Sequence, residues 1–318
     1  MMQIALVSIG AGAAAALLFA SVVSASWLSI ILFYLAPLPI LIAALGWSHW
    51  AALIAAFGAA ISLWAIFGAI FFVAFLAGVG LPAWWLGYLA MLARPANDGA
   101  SLEWYPAGRL VVWAAILSVL VVAVAMFNFG ADLESFRAGL TRSMERMFRG
   151  DPASGSDRKN IITFLVYVLP PAAAVLATIT NVFNLYLAGR IVKFSGRLTR
   201  PWPDLPTMEF PKWAPALLGA AVVLSFFGSL AGMFGGVASA SLLVAYGLLG
   251  FAVLHMLTRG LRSRSLLLGG AYVAVALFGW PMLILCTLGL AETAFDIRGR
   301  VARKRALPHW TINRSDKE

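Results

Sequence analysis

The chain has 318 residues, 62% of them hydrophobic and 11% charged, with a net charge of +10. A soluble domain carries about 25% charged residues, so this composition excludes an ordinary soluble enzyme or binding module. The positive charge sits in loops and in the tail, where Lys and Arg set membrane topology and meet anionic lipid headgroups; it does not point to nucleic acid.

Residues 1–93 contain no Asp, Glu, Lys or Arg, and Arg94 is the first charged side chain. As helix, that stretch would extend roughly 140 Å at ~1.5 Å per residue, against a bilayer core of about 30 Å that takes about 20 residues to cross. The chain therefore crosses a membrane several times before it meets a charge. Its apolar runs are 3–25, 28–46, 49–67, 69–93, 107–130, 161–189, 213–234, 238–257 and 265–291. No cation precedes the first run, which reads as an uncleaved span rather than a signal peptide. The segment 49–93 has two readings: two spans turning near Gly68, or one long span followed by a half-helix after Leu81-Pro82.

The expectation is an all-α polytopic bundle of eight or nine spans: one integral membrane domain over 1–296 and a basic tail over 297–318. The polar stretches 131–160 and 189–212 are too short for a core of their own. Within the first of them, Leu133, Phe136, Leu140, Met144 and Met147 recur at three- and four-residue spacing, with Arg137, Arg142, Arg146 and Arg149 between them. That pattern describes a basic amphipathic helix over about 132–149, lying at the headgroup level as a connector or as a docking surface for a cytoplasmic partner. If every run crosses once, the loops divide the cations ten against thirteen, a weak positive-inside signal. The cluster that directly follows the last span places the C-terminus in the cytoplasm of a bacterial inner-membrane protein, and eight spans would place the N-terminus there too.

Few residues invite chemistry. No carboxylate falls within an apolar run, Glu292 at the end of the last one coming nearest. Ion-coupled carriers place acids at membrane depth, so the energy for any transport would come from elsewhere. Glu292, Asp296 and Arg300, spaced by four, read as an ion-paired extension of the last helix. There is no GxxxxGK[ST], GxSxG or HExxH motif, and His49, His255 and His309 lie in separate segments. The lone Cys286 has no intrachain disulfide partner. No catalytic residue, metal site or cofactor is expected, and the chain is read as a non-enzyme.

Three features remain as candidate sites. Thr178, Asn181 and Asn184 form a polar ridge within 161–189, either as helix–helix glue or as the wall of a pocket for an uncharged ligand. Pro37 and Pro39 interrupt 28–46, and Pro170-Pro171 interrupt 161–189; such breaks are kinks, or they line a cavity near mid-membrane. Small residues cluster at Ala11, Gly12, Ala15 and Ala16 and at Gly228, Gly232 and Gly236, for packing within the chain or for docking a second membrane subunit.

Asp204-Leu205-Pro206, then Phe210-Pro211-Lys212-Trp213 and Pro215, precede an apolar helix. Together with Asn181, Asn184, Arg190 and the small-residue first helix, this stretch resembles the YybS-like family of bacterial integral membrane proteins, across about residues 5–295. That family is in turn distantly similar to the substrate-binding S components of energy-coupling-factor transporters. The resemblance implies a small molecule held in the bundle and a partner, a transmembrane coupling subunit with ATPases, docked on Ala11, Gly12, Ala15 and Ala16. S components have six spans and are shorter, and the loop 131–160 has no counterpart in them.

Overall fold

The computed structural model describes residues 2–24, 26–96, 101–130, 132–147 and 155–306. It divides into two compact units, residues 1–204 with 209–245, and residues 205–208 with 246–318. Almost all of the described chain is helical, as the composition requires, and seven helical stretches are long and apolar enough to cross a membrane.

The first unit opens with α1 (Met2–Ala20), which continues as a tight helical turn to Ser24. Ser26 then caps α2 (Trp27–Tyr34) through a capping box: Ser29 N–H donates to the Ser26 hydroxyl at 3.2 Å, and Ser26 N–H to the Ser29 hydroxyl at 2.9 Å. The prolines separate α2 from α3 (Pro37–Gly46). Neither has an N–H, and the turn tightens so that Ala36 N–H reaches the Phe33 carbonyl and Leu38 N–H the Leu35 carbonyl. The Tyr34 carbonyl is left without a donor from its own chain segment.

Ser48 caps α4 (His49–Phe67), which ends at Gly68, where φ is +90°. The next span comprises α5 (Ala69–Phe75), a wide π-helical turn at Leu76–Gly80 and α6 (Leu81–Ala90). Residues 49–93 are thus two spans turning at Gly68, and Pro82, which has no N–H to donate, falls directly after the wide turn of the second span. A short antiparallel hairpin, β1 (Ala93–Pro95) with β2 (Leu102–Trp104), carries the exposed Arg94–Glu103 pair.

From there α7 (Ala107–Phe129), α8 (Leu133–Met147) and α9 (Gly155–Phe194) follow. Asp132 accepts from Ser135 N–H at 2.8 Å, closing the first turn of α8, and this bond holds its carboxyl below the usual carboxylate range. The amphipathic reading of this segment holds over its described part, residues 132–147; Arg149 lies outside the described residues. Its apolar face does not lie on lipid alone, because Phe136 and Leu140 are buried with Val122, Met126, Ile162 and Val166. Contrary to expectation, Pro170 and Pro171 do not interrupt their helix: α9 runs through both.

The run 213–234 breaks earlier than Gly235–Gly236. α10 (Ala214–Ser225) ends in a turn at 226–229, and α11 (Leu230–Leu257) passes through both glycines.

Two ends of the first unit can be told apart. At one, Gly46 lies against Val192, and the Arg200 guanidinium donates to the Ala90 and Tyr105 carbonyls at 2.9 and 2.8 Å. Burial draws that guanidinium below its ordinary value. At the other end, Phe127 meets Phe234 and Phe129 meets Phe136.

In the second unit, α12 (Arg264–Phe278) and α13 (Pro281–Phe295) meet at Gly279, where φ is +70°. The run 265–291 is therefore not one span but two helices of 15 residues. α14 (Ile297–Ala306) begins the basic tail, whose residues from 307 onward lie outside the described part.

Candidate functional site

The polar ridge on α9 is buried at all three positions, with Thr178 and Asn184 at 0% exposure and Asn181 at 3%. Each has neighbours that the sequence could not name. The Thr178 hydroxyl donates to the Ala174 carbonyl and lies 2.7 Å from the Ser241 hydroxyl on α11. Ser241 also donates to the Ala115 carbonyl on α7, at 3.0 Å. Asn181 Nδ2 donates to the Ser118 hydroxyl at 3.3 Å, and Ser118 donates to the Ala114 carbonyl. The ridge thus ties α7, α9 and α11 together at mid-helix. Hydrogen bonds of this kind are worth about 0.6 kcal/mol each inside a membrane bundle, and at most about 2.

Asn184 differs. Its Nδ2 donates to the Tyr34 carbonyl and to the Thr180 carbonyl, both at 2.8 Å. The first of these is the carbonyl released by the proline break, so Asn184 and Pro37/Pro39 form one feature: an interrupted helix and the amide that satisfies it. Its Oδ1 is buried and has no hydrogen-bond partner among the described residues. The indole N–H groups of Trp84 and Trp85 on α6 are likewise buried and unpartnered. Both rings pack against the same apolar core as Val182 and Leu185, which flank Asn184 on α9. A buried amide acceptor or indole donor left unpaired costs about 1–3 kcal/mol. Nothing in the local sequence singled out these two tryptophans, since Trp is common at membrane interfaces.

The small-residue clusters separate on inspection. Gly12, Ala15 and Ala16 are buried and Ala11 is half-buried. A Cβ at Gly12 would stand 2.8 Å from the Ala55 carbonyl oxygen of α4, whose own buried stripe is Ala51, Ala52, Ala55, Ala56, Ala59 and Ala60. The stripe therefore packs α1 on α4 inside the chain. Replacing Gly12 by Ala should destabilise the protein by about 1 kcal/mol, because crowding at the helix contact outweighs the gain in helix propensity. At Gly10 a Cβ meets nothing within 4 Å, so Gly10→Ala should be neutral or stabilising by up to about 1 kcal/mol. Thermal melts of the two variants in detergent, shifting in opposite directions, check the assignment. In the other cluster only Gly232 makes a close approach, against the Phe227 backbone; Gly228 and Gly236 face open space, and Gly235, on the Ser225 backbone, is the second contact.

Among the described residues, the most buried charges are elsewhere. Glu292 and Arg298 have side chains 7% and 8% exposed and pair at 2.7 Å. Glu292 Oε2 accepts from the Arg298 backbone N–H, and the remaining guanidinium nitrogens donate to the Pro206 and Met208 carbonyls at 2.6 and 2.9 Å. The expected alignment of Glu292, Asp296 and Arg300 does not form, because Asp296 takes a left-handed conformation at φ 45° and ends α13. The Leu205–Pro206 stretch singled out in the sequence is thus where Arg298 docks. Among the described residues no three His, Cys, Asp or Glu side chains converge as a metal site would require.

A family profile described as "Predicted membrane protein (DUF2232)" matches residues 13–234, well over half of the chain. Neither the curated proteins nor the solved structures give a match.

Proposed function

The chain belongs to the DUF2232 family of predicted membrane proteins, and from that premise we propose that it is a non-enzymatic, multi-pass inner-membrane subunit that holds a small uncharged molecule and takes its energy from a partner. The observation that carries this reading is Asn184: fully buried, fixed by the broken helix through its amide nitrogen, with its oxygen free to accept from a ligand. The unpartnered indole N–H groups of Trp84 and Trp85 add donors to the same core. A side-chain amide recognises a neutral molecule without the desolvation cost of a buried charge.

The reliance on a partner follows from what the spans carry. Glu292 is the carboxylate nearest an apolar run, and it is paired with Arg298. A coupling subunit with ATPases, as in S-component systems, would meet α1 on its outward side at Leu6, Gly10, Ala13 and Leu17, because Gly12, Ala15 and Ala16 face α4. Solvent extraction of the purified protein should release one small molecule in near-stoichiometric amount, and mild-detergent purification from the native host should bring down an ATPase. An empty extract and no ATPase would refute the proposal.

A second reading, a structural or assembly protein of the cell envelope with no ligand, draws on the mutual satisfaction of Thr178, Asn181, Ser118 and Ser241. It predicts that the extract is empty while the fold and its thermal stability are intact.

A further inference from the structure

The C-terminal hairpin, α12 with α13, has the dimensions of an element that enters the membrane and leaves by the same face. Each arm has 15 residues, about 22 Å at ~1.5 Å per residue, which is short of the ~30 Å hydrocarbon core. No charged residue lies between Arg264 and Glu292. The tip is apolar and exposed, with Leu277 at 72%, Phe278 at 66% and Trp280 at 62%.

The arms fold back on each other. The Tyr272 ring, seven residues before Gly279, stacks on Phe251 of α11 at 4.5 Å, with its hydroxyl 2.9 Å from His255 Nε2. Leu285, six residues after Gly279, lays its backbone against Gly250 of the same turn. In a single continuous helix, residues 272 and 285 would stand about 20 Å apart at ~1.5 Å per residue. Gly279 at φ +70° makes the corner and Pro281 starts the return arm.

The feet of the hairpin are basic. Arg259, Arg262 and Arg264 stand at the start of the first arm, and Arg300 and Arg303 follow the second, beyond the buried Glu292–Arg298 pair. Consecutive short turns through 258–264 start α12 beside the end of α11. Arg298 holds the carbonyls of Pro206 and Met208, in the segment by which the chain leaves α9.

We infer that α12–α13 is a re-entrant hairpin that enters the hydrocarbon core and turns back before the opposite headgroups, with its basic feet at the anionic headgroups of the face it enters from. The frustrated charge balance then resolves. The hairpin returns the tail to the side of 259–264. Turns continue α10 at both ends, from Pro211 to Phe227, about 17 residues and the lower limit for a crossing; with that segment and the seven long stretches as the crossings, the same side holds 94–109 and 190–212. Seventeen cations share that side and six, all within 137–159, lie on the other. By the positive-inside rule the larger set, with both termini, is cytoplasmic. This inference does not depend on a ligand at Asn184.

The test uses single-cysteine chains made in a Cys286→Ser background: Ser263→Cys, Arg300→Cys, Arg142→Cys and Trp280→Cys. Each is treated with a membrane-impermeant maleimide in inside-out and in right-side-out vesicles, with detergent-solubilised protein giving full labelling. Positions 263 and 300 should label in inside-out vesicles, position 142 in right-side-out vesicles, and position 280 only in detergent. Labelling of 263 and 300 from opposite faces would overturn the inference. So would labelling of 280 from the face of 142, or protection of 263 or 300 in both vesicle types.

Discussion

Arg298→Ala is expected to destabilise the protein by about 3–5 kcal/mol, the usual cost of leaving one partner of a buried ion pair alone. Glu292 would lose its ion-pair partner in a site 7% exposed, and the Pro206 and Met208 carbonyls would lose their donors. Arg298→Lys should recover only part of the loss, because an ammonium cannot reproduce the forked guanidinium that reaches Glu292 and both carbonyls at once. The control is the neighbouring Arg303–Asp296 pair, 3.5 Å long and largely exposed, where Asp296→Asn should cost no more than about 1 kcal/mol. Thermal unfolding in detergent separates the two cases. Limited proteolysis adds a local readout: the 205–208 segment should become cleavable in Arg298→Ala while the first unit stays intact.

The second large effect is at Asn184. In the ligand-bound protein, where Asn184 Oδ1 is already paired, Asn184→Leu removes the donor that satisfies the Tyr34 carbonyl, and a buried carbonyl without a partner costs about 1–3 kcal/mol. The corresponding change at Asn181 removes a 3.3 Å bond to a hydroxyl that is itself bonded to Ala114. It should cost about 0.5 kcal/mol, near the average for interhelical bonds in membrane bundles. Equal melting temperatures for the two variants would contradict the coupling of Asn184 to the proline break.

Much of the architecture is legible in the sequence because hydropathy and breakers agree there. Gly68 and Pro37/Pro39 interrupt apolar runs at places where the backbone has no better option, and the alternation of apolar and basic residues writes α8 plainly. The corner at Gly279 is not legible: the residues on both sides are equally apolar, so hydropathy shows one span, and only the positive φ of Gly279 turns it into two arms. Pro170 and Pro171 mislead in the opposite sense, since a helix can continue through prolines when its surroundings hold it.

The candidate site was half visible. The spacing of Thr178, Asn181 and Asn184 reveals a ridge, but not that Ser118, Ser241 and Tyr34, far away in sequence, are its partners. The four-residue spacing of Glu292, Asp296 and Arg300 suggests a ladder, and one left-handed residue at Asp296 hands Glu292 to Arg298 instead. Glycine spacing alone could not tell Gly232, in tight contact, from Gly228 and Gly236, which face open space.

The small neutral molecule proposed at Asn184 should be visible by native mass spectrometry of the protein released from nanodiscs. The wild-type chain should fly with a satellite peak displaced by one small molecule. Asn184→Ser, with the same folded charge-state distribution, should lose that peak. A wild-type spectrum with the bare chain alone, or a satellite that survives Asn184→Ser undiminished, would contradict the account.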